Sequence, residues 1–322
     1  MRVSNVHAAG RVARGMITLL VLLASVLGMS SFGLSASLAV VAIVLGVPHG
    51  ALDLEDATNT WSELTQRRHR SLFAAGYAAC VLVTYLAWQW WPVAGLYAFV
   101  AVSVVHFGQS DLQQDLGLSA RRQLPRLLTR GVAVVFLPLL QDPSQANRVI
   151  HMMTGGNVPS FVPESAAPGL VAGLSLAYAI LWIAPTWRAG PRRVVEETGL
   201  LAVLVLAPPL LGFAAYFALW HAPSHLLAVA QRIRLHNAGD ALRAALHRAW
   251  WTSATALAAV IIGGLVTVLR APASDAAAPS FVAGGLVVVA ALTLPHAILV
   301  VAIEHAARRR RGHVDARTNR TA

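Results

Sequence analysis

The stretch FVAGGLVVVAALTLPHAILVVAI, residues 281–303, contains 23 residues and no charged side chain. About 20 apolar residues in a helix span a bilayer core, so this segment predicts a membrane-spanning helix. The whole chain has the same character, because apolar residues make up 57% of its 322 residues and charged residues only 12%. Soluble domains carry about 25% charged residues. The composition therefore predicts an all-α fold, a polytopic integral membrane helix bundle.

Similar apolar runs occur along the rest of the chain. We predict about ten transmembrane helices, at roughly residues 12–30, 34–54, 71–91, 94–114, 127–141, 168–186, 195–211, 212–231, 250–269 and 280–305. The first run resembles a signal-peptide core but lacks a small-residue cleavage site, so we interpret it as a retained helix. The break at Pro208-Pro209 either separates two spans or interrupts one. The segment at about 142–167 is expected to be an ordered loop with a short helix before Gly155.

The arginines predict the orientation of these helices. The chain has no lysine, so all 25 of its basic residues are arginines. With ten spans and the N-terminus inside, every arginine except Arg148 and Arg270 falls in a cytoplasmic segment; Arg130 is counted there, at the start of the fifth span. The positive-inside rule requires this asymmetry. We therefore predict a multi-pass protein of the cell membrane with both termini in the cytoplasm.

The domain organisation is expected to be simple. No internal repeat or soluble domain is evident, so residues 1–322 are predicted to form a single transmembrane domain with flexible tails at about 1–11 and 307–322. The net charge of +11 does not indicate a nucleic-acid partner, because the arginines form short clusters between apolar runs and no basic face.

Four histidines lie inside the apolar runs: His49, His106, His221 and His225. A polar side chain at membrane depth costs several kcal/mol unless it finds a partner, and it therefore indicates a functional site. In the predicted topology these four histidines lie on three helices, at a similar depth in the inner half of the membrane. His221 and His225 are four residues apart, so their rings project from one helical face and can share an ion. This pattern predicts a metal site within the membrane.

Two carboxylates accompany these histidines. Asp53 follows His49 by four residues, and Asp111 follows His106 by five. A metal-bound imidazole usually donates its second N–H to a carboxylate or a carbonyl. We expect each aspartate to orient a histidine on its own helix or on a neighbouring one. Gly50 and Gly108 are expected to allow close approach of two helices.

The ligand type limits the identity of the metal. Imidazoles without thiolates suit iron, zinc, copper or nickel and disfavour calcium and magnesium; the single cysteine, Cys80, lies in an apolar run. Four histidines would leave two positions of an octahedral iron site for O₂. Alternatively, two histidines could combine with the carboxylate of Asp53 or Asp111. Zinc-dependent hydrolysis is disfavoured because the sequence lacks an HExxH motif.

The motifs around these histidines resemble a known family. The matching segments are residues 46–53 (GVPHGALD), 103–111 (SVVHFGQSD), 220–225 (WHAPSH) and 295–296 (PH). They resemble the Brp/Blh family of bacterial and archaeal membrane β-carotene 15,15′-dioxygenases. The resemblance implies Fe(2+) held by His49, His106, His221 and His225.

The same resemblance implies the reaction and the partners. The expected activity is an O₂-dependent cleavage of the central double bond of β-carotene into two all-trans retinals. Membrane lipid would be the solvent of the substrate, and a rhodopsin could accept the product. No catalytic residue is expected beyond the metal centre. Asp53, Asp111, His296, Phe107 and Trp220 are expected around the ligands or in the substrate pocket.

Other aromatic residues on the same predicted spans are candidates to line an apolar substrate tunnel. They are Tyr97, Phe99, Tyr216 and Phe217.

Two other functional classes stay open. A di-iron desaturase or hydroxylase would need more histidines, whereas this chain has one HxxxH motif and no HxxHH. A transporter with a His/Asp proton relay would also bury such residues. Transporters often carry broken helices in two matching repeats, and the Pro208-Pro209 break has no counterpart. A retinal-binding opsin is excluded because the chain has no lysine.

Overall fold

The computed structural model describes residues 32–116, 123–158, 161, 163–236, 239–270 and 277–318, together with Thr18 and Val21. Every regular element in these ranges is helical, which confirms the predicted all-helical class. The α-helices of eight or more residues are α1 (Phe32–Gly46), α2 (Asp53–Thr60), α3 (Arg67–Trp90), α4 (Pro92–Leu116), α5 (Leu124–Gln141), α6 (Pro143–Thr154), α7 (Ala167–Tyr178), α8 (Pro191–Leu206), α9 (Pro209–Tyr216), α10 (Ala222–His236), α11 (Gly239–Arg270) and α12 (Ala277–Thr318).

Seven helical segments in the described ranges are long and apolar enough to cross a membrane. They are Gly33–Thr60, Arg67–Trp90, Pro92–Leu112, Leu124–Gln141, Ala167–Thr186, Trp250–Arg270 and Pro279–Ala307. The predicted span at 12–30 lies outside the described residues apart from Thr18 and Val21. The tail predicted from residue 307 is helical as far as Thr318, because α12 continues to that residue.

The other two predicted spans correspond to helices of a different kind. The span at 195–211 coincides with α8, whose 16 residues fall short of the 20 or so needed to cross a bilayer core. The span at 212–231 coincides with α9 and α10, where histidines and prolines lower the hydropathy. Two extended residues, Ala207 and Pro208, separate α8 from α9. Seven segments of the described residues are therefore candidate membrane spans by length and composition, and ten crossings stay a prediction.

Two irregular turns interrupt the helices near the histidines. Between α1 and α2, Val47–Leu52 forms a 3₁₀ segment that includes Pro48 and carries His49. Between α9 and α10, Phe217–His221 forms a π-helical turn in which the Ala222 N–H donates to the Phe217 carbonyl, five residues earlier. Pro223 has no N–H for an α-helical bond to the carbonyl four residues earlier, which favours this widening. π-Helical turns are frequent at functional sites.

Helices α4 and α5 approach each other at two glycines. A Cβ atom on Gly108 would overlap the backbone carbonyl of Leu127, and one on Gly131 would overlap that of Val104. The expected close approach at Gly108 is confirmed. The same expectation for Gly50 is wrong: an added Cβ would meet the side chains of Asp53 and His296 at an ordinary 3.7 Å, and no described backbone lies as close.

The short helix predicted before Gly155 is confirmed as α6. The Asp142 side chain accepts a hydrogen bond from the Gln145 N–H (3.0 Å) at its start. The helix ends at Gly155, whose φ of 60° is a left-handed conformation that suits glycine. Trp88 at the end of α3 donates to the Met153 carbonyl at 2.9 Å, which ties α6 to the bundle.

A layer of buried polar residues lies next to the histidine-bearing turns. Glu55 is paired with Arg70. Asp56 accepts hydrogen bonds from Arg232 at 2.5 and 3.0 Å. These pairs join α2 to α3 and α10, so the segment that follows His49 is fixed to two neighbouring helices.

Candidate metal centre

The structure brings the four predicted ligand histidines together. The ring centre of His49 lies 5.3 Å from that of His221 and 5.7 Å from that of His225. The ring of His106 lies 5.1 Å from His221, and His221 lies 6.3 Å from His225. The 3₁₀ segment, α4, the π-helical turn and α10 each contribute one of these rings.

These separations are those of imidazoles that can share one ion. With metal–nitrogen bonds of about 2.0–2.1 Å, two rings on the same ion have centres roughly 4.5 to 6.4 Å apart. Both ring nitrogens of His221 are buried without a hydrogen-bond partner among the described residues. Leaving such groups unsatisfied is costly, and a metal ion would remove that cost. The residues therefore fit a metal ion.

Two groups of potential ligands overlap at this centre. Ligand atoms of His49, His106 and His221 lie within 4.8 Å of one another, and so do those of Asp53, His225 and His296. The groups interleave, because the ring of His296 lies 4.9 Å from His49, 4.9 Å from His106 and 5.0 Å from His225. The structure thus places His296 among the four predicted ligands.

The tautomer of His49 is set by the chain that carries it. Its Nδ1 lies 2.6 Å from the carbonyl oxygen of Gly46, so Nδ1–H donates and Nε2 keeps a lone pair. The 3₁₀ segment after Gly46 brings the ring back over that carbonyl. A backbone carbonyl is a usual partner of a metal-bound histidine.

Asp53 serves a histidine on another helix. His296 Nδ1 lies 2.8 and 3.0 Å from the two carboxylate oxygens of Asp53. The hydroxyl of Tyr77, on α3, donates to the same carboxylate at 2.9 Å. Nε2 of His296 is buried and has no hydrogen-bond partner in the described part of the chain. Asp53 therefore joins α2, α3 and α12 at the centre.

Asp111 also faces a histidine of a neighbouring element. Its Oδ1 lies 3.6 Å from Nδ1 of His221, beyond hydrogen-bond distance but within range of electrostatic attraction. Its Oδ2 accepts hydrogen bonds from Arg130 Nε at 2.7 Å and from the Tyr216 hydroxyl at 2.9 Å. The carboxylate is thus held in place beside the His221 ring.

Arg130 extends this network away from the histidines. It donates to Glu197 at 2.8 Å, and the Tyr178 hydroxyl donates to the same carboxylate at 2.7 Å. Arg130, predicted to lie at the cytoplasmic start of the fifth span, has a side chain that is only 1% exposed inside the bundle. Glu197 and Tyr178 are not among the residues predicted from the sequence. The available signal was that Arg130 and Glu197 each lie within a predicted apolar span, where a charged side chain needs a partner.

A cavity of about 420 Å³ lies against the histidines. Its walls come mainly from α3, α11 and α12, with side chains such as Val81, Ala256 and Leu286. His49, His106, His221 and His296 also line it. The metal centre therefore opens onto an apolar space.

The predicted aromatic residues divide into two groups. Phe99, Phe107 and Phe217 line the cavity, and the Phe107 ring lies 4.8 Å from that of His221. Trp220 is buried in the same apolar core as Phe107, away from the described cavity lining. Tyr97 is exposed, and Tyr216 binds Asp111 as described above.

Comparisons with known proteins agree with this arrangement. Residues 40–304 match the family described as beta-carotene 15,15'-dioxygenase. The chain is 30% identical over 294 residues to the probable beta-carotene 15,15'-dioxygenase Blh of Halobacterium salinarum, covering 82% of this chain and 83% of that protein. It is 26% identical over 269 residues to the beta-carotene 15,15'-dioxygenase of an uncultured marine bacterium, 66A03, covering 80% and 90%. No solved structure matches the chain. The extent of the family match shows that the chain belongs to the β-carotene 15,15′-dioxygenase family.

Proposed function

We propose that His49, His106, His221 and His225 hold one Fe(2+) ion, at which O₂ cleaves the central 15,15′ double bond of β-carotene into two all-trans retinals. The observation that carries this proposal is the convergence of the four rings beside an apolar cavity, with ring centres 5.1–6.3 Å apart in the four pairs given above. Ferrous iron bound by imidazoles supplies the chemistry that binds and activates O₂. The family match supports the same reaction.

The cavity supports β-carotene as the substrate. Its volume of about 420 Å³ is in the range of ligand pockets, and its walls are mainly apolar. The walls include α3 and α11, which have only 6% and 17% of their candidate membrane-spanning windows buried and would therefore face lipid. β-Carotene is an apolar rod about as long as the bilayer core is thick, roughly 30 Å. Such a substrate would reach the cavity from the lipid phase.

The aromatic residues beside the histidines would position the polyene. Phe217 lies 5.2 Å from His49, and Phe107 lies 4.8 Å from His221, measured between ring centres. Flat apolar side chains can pack along a conjugated chain and exclude water from it. Holding one double bond beside the metal is the main contribution expected of the protein. The cavity on either side of the histidines would then select the central bond.

The protein is proposed to be a single-domain, multi-pass protein of the cell membrane with both termini in the cytoplasm. The seven candidate membrane spans and the arginine asymmetry support this placement. Membrane lipid would supply β-carotene and receive retinal. This chain has no lysine with which to hold retinal as a Schiff base. We propose that a rhodopsin in the same membrane accepts the product.

Two rival functions make different predictions. A di-iron enzyme would bind two irons, and the two overlapping ligand groups give that reading some support. The two metal ions of such a site lie about 3.5–4 Å apart. Among the described residues, Asp53 is the only carboxylate that either ligand group contains. We therefore favour one iron, which metal analysis of the purified protein would test. A His/Asp-relay transporter would instead show metal-independent solute flux in liposomes.

The direct experiment is expression in cells that make β-carotene, followed by chromatography of the pigments. We expect β-carotene to disappear and retinal to accumulate. Changing any one of the four histidines to alanine should nearly abolish retinal and remove iron from the purified protein. His305→Ala is the control, because that histidine is exposed on α12. Full retinal yield from two of the four alanine variants would refute the proposal.

A further inference from the structure

His296 has the environment of a metal ligand. Its ring centre lies 4.9 Å from His49, 4.9 Å from His106 and 5.0 Å from His225. These distances fall within the range of roughly 4.5 to 6.4 Å for imidazoles on one ion. They are shorter than the 5.1–6.3 Å found between the four predicted ligands. Judged by position, His296 is as central as any of them.

The hydrogen bonds of His296 fix the orientation of its ring. Nδ1 lies within 3.0 Å of both carboxylate oxygens of Asp53, so Nδ1 carries the proton and Nε2 keeps a lone pair. That Nε2 atom is buried and has no hydrogen-bond donor among the described residues. A buried acceptor without a donor costs about 1–3 kcal/mol. A cation at the centre of the cluster would satisfy it.

Tyr77 holds the carboxylate in turn. Its hydroxyl donates to Asp53 at 2.9 Å, and its side chain also lines the cavity. The resulting series Tyr77–Asp53–His296 links three helices to the centre. A carboxylate that accepts the second N–H of a ligand histidine is the usual support of such a ligand.

We infer that His296 is a fifth imidazole ligand of the metal, oriented by Asp53, which Tyr77 holds in place. This inference rests on the proposed metal site. In a six-coordinate site, five imidazoles leave one open position, whereas four leave two. The apolar cavity, and not the metal, would then hold the hydrocarbon substrate.

The first test is the number of imidazoles around iron in the purified, iron-loaded protein, measured by X-ray absorption spectroscopy. We expect five in the wild type, four in His296→Gln and five in the exposed control His305→Gln. A wild-type count of four, unchanged in His296→Gln, would overturn the inference. The wild-type measurement needs no variant, so it stays decisive if His296→Gln fails to fold.

The second test is chemical rescue of a truncated variant. His296→Gly should retain iron at least tenfold less tightly than the wild type, and free imidazole should restore both iron retention and the absorption spectrum. Restoration is not expected if the ring serves only for packing. Iron retention in His296→Gly that equals the wild type and ignores imidazole would overturn the inference.

A third comparison concerns the residues behind the ring. Asp53→Asn should lower iron affinity by about 10–100-fold, and Tyr77→Phe should lower it less, because the Asp53–His296 hydrogen bond remains. Unchanged affinity in Asp53→Asn would contradict its orienting role.

The failures can be told apart. If His49→Ala and His221→Ala lose iron while His296→Gln keeps it, the proposed function stands and only the fifth ligand is refuted. If His49→Ala and His221→Ala keep iron and retinal formation, the proposed function itself fails.

Discussion

Arg130 Nε lies 2.7 Å from Asp111 Oδ2, and the two side chains are only 1% and 5% exposed. This ion pair joins α5 to α4 inside the bundle. On its other side Asp111 faces His221, so the arginine is linked to the metal centre through a single carboxylate. Two buried charges of opposite sign are tolerated when each has hydrogen-bond partners, as both have here. The network therefore couples stability of the bundle to the position of a ligand.

Replacing Arg130 by methionine should strongly destabilise the protein. The change leaves Asp111 and Glu197 buried without the cation that joins them, and breaking a buried pair costs about 3–5 kcal/mol. The measurement is unfolding of the detergent-solubilised protein. Arg192→Met is the matched control, since Arg192 pairs with Glu196 on the surface and such pairs contribute about 0–1 kcal/mol. Equal losses in the two variants would contradict the role given to Arg130.

Changing Asp111 to asparagine should weaken metal binding, in addition to the stability lost with the Arg130–Asp111 ion pair. The amide keeps the shape of the side chain but loses the negative charge that faces His221 at 3.6 Å. Loss of a group that orients a ligand typically costs about 10–100-fold in metal affinity. Iron retention should therefore fall, though less than in His221→Ala. Glu164→Gln, at an exposed position, is the control. Iron retention in Asp111→Asn that matches this control would exclude the orienting role.

Much of the fold could be predicted from the sequence because the membrane imposes strong rules. Helices must satisfy their own backbone groups in lipid, so apolar runs of sufficient length identify them. The histidine motifs could be recognised for a related reason, since imidazoles in such runs need partners. The predicted topology places them at a similar depth, and the structure brings their rings together. Glycine at position 108 similarly indicated a close helix approach.

The pairing of residues could not be predicted, because it depends on how the helices pack. Asp53 lies four residues from His49, yet its partner is His296, 243 residues away in the chain. The nearby carbonyl of Gly46 accepts from His49 only because the helix changes to a 3₁₀ segment there. The burial of Arg130 could not be predicted either, because the sequence does not distinguish an arginine beside a span from one buried at its start.

Replacing Gly131 by alanine should disturb α4 and the histidine that it carries. The added Cβ would overlap the Val104 backbone carbonyl, two residues before His106, so the two helices must separate. Such overpacking costs about 1–3 kcal/mol. We expect a lower unfolding temperature and reduced iron retention. Gly173→Ala is the control, because nothing described lies within 4 Å of its added Cβ and alanine favours a helix. Similar unfolding temperatures in the two variants would contradict the close packing.

Filling the cavity should reduce cleavage without removing the metal. Ala256 lines the cavity on α11, so Ala256→Phe would occupy space needed by an apolar substrate, while no ligand histidine is touched. We expect retinal formation to fall at least tenfold with the iron content per chain unchanged. Ala258→Phe provides the comparison, because Ala258 is an exposed residue of the same helix outside the described cavity lining. It should leave both quantities near wild type. If Ala256→Phe cleaves β-carotene as fast as Ala258→Phe, the substrate does not occupy this cavity.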